Sequence, residues 1–80
     1  MRNTIPSANA LFTFEAAARL LSFTKAADEL GVSQAAVSYA IKRLEEFLGV
    51  SLFNREYRKL SLTEVGERFF HDVTIGMSHI

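Results

Sequence analysis

The chain contains no cysteine, which excludes a disulfide framework and a thiolate metal site and suits a reducing cytosol. It also has no apolar run near the roughly 20 residues that a membrane-spanning helix needs. The opening "MRNTIPSANA" lacks the charged-then-apolar layout of a secretion signal, so a cytoplasmic protein with no membrane contact is expected. No glycine-rich phosphate loop and no nucleophile motif occur. Net charge is missing as well, because nine Lys and Arg balance nine Asp and Glu.

Helix breakers are scarce, with a single proline and four glycines. What remains, 80 residues that are 49% hydrophobic and 22% charged, describes one small domain rather than a disordered chain or a multidomain enzyme. Catalytic chemistry finds little footing. Asp28 with Glu29 and Glu45 with Glu46 are neighbours on helical segments, so each pair diverges by about 100° and cannot flank a substrate. His71 and His79 lie slightly over two turns apart with no third ligand converging, so neither a metal nor a cofactor is expected. The seven phenylalanines fall mainly on inward stripes and read as core.

Periodicity predicts four helices. Pro6 and Ser7 offer a start to the first, whose buried stripe is Leu11, Phe14, Ala18 and Leu21. Thr24 is placed as the cap of a second helix with a narrow face of Ala26, Ala27 and Leu30, ended by Gly31. Ser33 caps a third, with Val37, Ile41, Leu44 and Leu48 inward and Gly49 as its stop. Thr63 caps the last, with Glu64 and Glu67 in its first turn and an apolar stripe of Phe69, Phe70, Val73, Met77 and Ile80.

Between Ser51 and Leu62 the period changes to short alternating runs, "SLF" and "KLSL", around the charged "NREYR". Two small strands joined by a projecting turn are expected there.

The segment from Phe23 to Lys42, two short helices around a tight turn with Gly31 inside it and small Ala27 at the crossing, has the pattern of a helix-turn-helix. The second helix of such a unit enters the DNA major groove. If its apolar positions point inward, Ala35, Tyr39, Lys42 and Glu46 point outward, flanked by Ser38 and Arg43. Gln34 can then bond an adenine edge, Ser38 and Tyr39 can bond bases or phosphates, and the Ala35 methyl can pack on a thymine methyl. The helix N-terminus adds backbone N–H groups for phosphate.

The run "LSFTKAADELGVSQAAVSYAIKRLEEFLGVSLFNREYRKLSLTEVG" closely resembles the N-terminal DNA-binding domain of LysR-type transcriptional regulators, and the likeness extends from about Leu11 to Gly66. "SQAAVS" is similar to the branch of glycine-cleavage and β-lactamase regulators.

The resemblance implies a mainly α fold: a winged helix-turn-helix over residues 1–62, with a three-helix core and a short two-stranded wing, then the start of a linker helix over 63–80. It also implies a homodimer on an inverted repeat in promoter DNA, and a small-molecule effector bound through a separate C-terminal domain. Carried over by position, base and backbone contacts fall on Thr24, Ser33, Gln34, Ala35, Ser38, Tyr39 and Lys42, and wing contacts on Arg55, Arg58 and Lys59. The dimerising helix would use Phe69, Phe70, Val73, Met77 and Ile80. Two positions depart from the family habit: Ala35 stands where proline is common, and Tyr39 where Arg or His is common. A tyrosine hydroxyl cannot reproduce the bidentate reading of guanine by Arg.

The charge balance divides along the chain. Ser33 to Thr63 hold five basic and three acidic side chains, and Glu64 to Ile80 hold one and three. So small a local excess predicts weak, salt-sensitive binding by one copy and useful affinity only from two. The competing expectation is a helical interaction module in which the stripe from Phe69 to Ile80 captures a partner protein and the basic wing is incidental.

Overall fold

A computed structural model describes residues 8–56 and 59–78. The first helix, α1, covers Ala8–Leu20 and buries Phe14 together with Ala16, Ala17 and Ala18, whose small side chains let other elements approach closely. Leu21, expected on this stripe, falls beyond the helix end. It adopts a φ of 49° and is 46% exposed, a conformation that is strained for any residue with a Cβ. Arg19 near the end of α1 pairs with Glu15 at 2.8 Å and with Glu29 on the next helix. The two carboxylates hold its guanidinium firmly protonated, and the bond from Arg19 keeps Glu29 below the usual carboxylate range.

Helix α2 covers Phe23–Leu30, and its cap is Ser22 rather than Thr24. A cap must sit in extended backbone just outside the helix. Ser22 does so at φ −162° and ψ 122°, with its Oγ accepting from the Lys25 N–H at 3.0 Å, whereas Thr24 is already inside. Gly31 at φ 72° makes the left-handed turn into the next helix, and Val32 N–H donates to the Ala27 carbonyl at 3.0 Å.

Helix α3 is Gln34–Leu48, with Ser33 Oγ accepting from the Ala36 N–H at 3.0 Å as the expected cap. Val37, Ile41 and Leu44 are buried against α1 and α2, but Leu48 is 37% exposed because the last turn runs past the edge of the core.

Strands β1, Phe53–Asn54, and β2, Ser61–Leu62, pair antiparallel in the register Phe53 with Leu62 and Asn54 with Ser61. They are the two short runs expected from the change of period. Helix α4, Glu64–Met77, starts at the expected Thr63 cap, whose Oγ1 accepts from the Gly66 N–H at 2.9 Å and donates to the Ser51 carbonyl at 2.8 Å.

The apolar stripe of α4 turns mostly inward. Phe14 has ring centroids 5.0 Å from Phe69, 6.4 Å from Phe70 and 5.7 Å from Phe53, Val73 is buried, and Met77 is half-buried against the same core. The interaction-module reading required this stripe to be a free face, and its own core uses most of it. Ile80 lies outside the described residues.

Gly66 marks the closest approach of α4 to the wing: a Cβ there would meet the Leu52 carbonyl oxygen at 2.1 Å, a backbone atom that no rotamer change can move. Gly66→Ala should therefore destabilise the fold by about 3 kcal/mol or more. Gly76→Ala, where nothing lies within 4 Å of the added carbon, should instead stabilise α4 by about 0.5 kcal/mol. Urea midpoints of the two variants should move in opposite directions.

Candidate nucleic-acid interface

The side of α3 away from Val37, Ile41 and Leu44 carries Ala35, Ser38, Tyr39 and Lys42, with Gln34 at its N-terminal edge, all exposed and with no acidic residue in the first turn. The start of the helix is therefore a region of unpaired N–H groups and positive dipole, with the Ser33 hydroxyl holding one of the donors.

Two side chains on this face are already engaged within the chain. Thr24 Oγ1 donates to Gln34 Oε1 at 3.1 Å, which ties the start of α2 to the start of α3 and turns the Gln34 amino group outward. Tyr39 Oη accepts from Arg43 Nη1 at 3.3 Å, and the Arg43 guanidinium carbon lies 5.9 Å from the Tyr39 ring centroid. Thr24, which does not act as a cap, is thus a neighbour of this exposed face.

The wing is held to α3 by Glu45. Its Oε2 accepts from the Leu52 N–H at 2.8 Å and the Phe53 N–H at 3.3 Å, while its Oε1 lies 3.4 Å from Arg55 Nη2. Arg55 also has its guanidinium carbon 5.3 Å from the Phe23 ring centroid. It stands at the root of the wing, partly spent on internal partners. Lys59 is exposed further along, and Arg58 lies outside the described residues.

This arrangement brings a capped helix, nearly uncharged on the exposed face of its first turns, beside a two-stranded wing that carries Arg55 and Lys59. Residues 8–67 match the family of bacterial regulatory helix-turn-helix proteins called the lysR family. The chain belongs to the lysR family.

Relatives follow suit. The chain is 59% identical over 73 residues to the glycine cleavage system transcriptional activator homolog of Haemophilus influenzae, covering 91% of this chain and 24% of that protein. It is 61% identical over 66 residues to the carbapenem-hydrolyzing beta-lactamase transcriptional activator of Serratia marcescens, covering 82% and 22%. The crystal structure of a BenM_DBD complex with catB site 1 DNA superposes with a TM-score of 0.87 at 36% identity, over 91% of this chain and 82% of that one. The chain thus spans about a quarter of the length of the curated relatives it matches.

In this lysR-family domain, sequence reasoning placed the outward face of α3 but left Arg43, Glu45 and Phe23 without roles. The four-residue spacing of Tyr39 and Arg43 is a legible signal, since such pairs meet on a helix surface. Nothing local signals that Glu45 reaches the wing. Among the described residues no helix is long and apolar enough to cross a membrane, and no three metal-ligating side chains converge.

Removing the Glu45 carboxylate strands two backbone donors at the root of the wing. Glu45→Ala should lower stability by about 1–3 kcal/mol, with Glu45→Gln recovering part of it through its remaining carbonyl acceptor. Equal urea midpoints for wild type and Glu45→Ala would show that the wing is not held this way.

Proposed function

We infer that this domain reads duplex DNA, with α3 in the major groove and the wing along the flanking backbone, as the DNA-binding part of a cytoplasmic transcription regulator rather than an enzyme. The observation that carries the reading is the exposed face from Gln34 to Lys42, polar but almost uncharged, at the positive end of a capped helix.

Such a face recognises bases by hydrogen bonds and methyl contacts. Gln34 offers its outward amino group to a base acceptor, Ala35 offers a methyl to thymine, and Ser38 bonds a base or phosphate. Ser33 and Thr24 border the backbone. Lys42, Arg58 and Lys59 supply charge for phosphate, with Arg55 serving both the wing and the DNA.

Two copies are proposed to sit on an inverted-repeat promoter site through α4. The surface left to that contact is the outer part of Phe69, Phe70 and Met77, the partly buried members of the stripe. Val73 contributes from beneath by holding α4 to its own core. Pairing two weak half-site contacts is how a domain of zero net charge reaches useful affinity, since the second contact becomes intramolecular.

Selection of bound sites from a random duplex pool tests the reading, and a two-fold-related sequence should emerge. Lys42→Ala should weaken binding to all sequences about equally and make the salt slope shallower by about one. Gln34→Ala should cost about 1–3 kcal/mol on the preferred site and relax one base position. A pool that yields no preferred sequence would sink the proposal.

A further inference from the structure

Arg43 flanks the face just described and is bound to Tyr39 on it. Tyr39 is 62% exposed on the outward side of α3, and its hydroxyl oxygen accepts from Arg43 Nη1 at 3.3 Å. The guanidinium also leans over the ring, with its central carbon 5.9 Å from the centroid. A phenol carries one proton and two lone pairs, so a lone pair given to Arg43 directs the O–H away from the guanidinium, toward the groove. Accepting a bond from a cation also polarises that O–H into a better donor. Arg43 spends one of five N–H donors in this way and keeps its charge and the rest for another partner.

We propose that Tyr39 and Arg43 form a two-residue specificity element, in which Tyr39 donates its O–H to the N7 of a purine and Arg43 contacts the phosphate beside that base. The assignment rests on the DNA-binding reading above and names a base class for it. Adenine and guanine both offer N7 to a donor in the major groove. Cytosine presents an amino donor there, and thymine sets its methyl group beside its only acceptor. A hydroxyl whose proton points into the groove therefore favours purine over pyrimidine without separating the two purines. The two-pronged reading of guanine that an Arg at position 39 would give is lost, and the cation is relocated one turn along, where it grips backbone.

An ordinary stabilising pair on a helix surface would have the same distances, so the test uses a readout that such a pair does not move. Sites are selected from a random duplex pool by the 80-residue chain, by Tyr39→Phe and by Arg43→Ala, with salt titrations and thermal midpoints for each. Wild type should show a purine preference of about 3- to 10-fold at one position of each half-site, the size expected of one hydrogen bond. Tyr39→Phe keeps the ring under the guanidinium, so its thermal midpoint should stay put while the purine preference disappears. Arg43→Ala should weaken the preference at that same position, lower affinity for every sequence, and make the salt slope shallower by about one.

Retention of the purine preference in Tyr39→Phe would overturn the assignment, and so would an unchanged salt slope in Arg43→Ala. If wild type itself selects no sequence, the DNA-binding reading falls with it. If wild type selects a site and only the variants disagree, this assignment alone falls.

Discussion

The backbone of one residue, Leu52, joins the three parts on which the domain depends. Its N–H donates to the Glu45 carboxylate on α3, its carbonyl accepts from the Thr63 N–H at the start of α4, and Gly66 leaves room for that carbonyl against the helix. The Leu52 side chain is fully buried among the same elements. Each of these bonds contributes only about 1 kcal/mol net, yet leaving either buried backbone group unpaired costs more than making the bond gains. The recognition helix, wing and α4 therefore share one frame and cannot shift independently without stranding a polar group.

Internal ion pairs account for part of the distribution of charge. Glu15 and Glu29 are held by Arg19, and Glu45 is spent on the wing root, so several of the acidic residues that neutralise the chain have internal partners. The reading face is left with little charge of either sign, and its polar groups are oriented by neighbours: Gln34 by Thr24, Tyr39 by Arg43. Orienting a donor before it meets a base lowers the ordering entropy still to be lost on binding. A neutral chain and a nucleic-acid surface are thus compatible in the proposed reading, which assigns affinity from phosphate and selectivity from bases to different side chains.

Much of the architecture was legible because its signals act within a few residues. Gly31, Ser33 and Thr63 terminate or cap helices in the places their chemistry indicated, and Val37, Ile41 and Leu44 lie inward at the expected spacing. The misreadings have a common cause. Ser22 and Thr24 are both competent caps two residues apart, and only the backbone conformation selects between them. Leu21 and Leu48 continue their stripes in register, but the helix or the core ends before they reach it. The periodicity of α4 says that one face is buried without saying against what, and Phe14 supplies part of that surface.

The candidate interface divides along the same line. The sequence by itself determined which positions of α3 face outward, where its N-terminus lies and that a basic turn follows, because a 3.6-residue period and a capping hydroxyl are properties of adjacent residues. Only the tertiary structure decided that Thr24 meets Gln34, that Glu45 reaches the Leu52 and Phe53 N–H groups, and that Arg55 lies over Phe23. Those pairs come from different elements, and which of many chemically suitable partners meet depends on how the helices cross, a relation that no local pattern encodes.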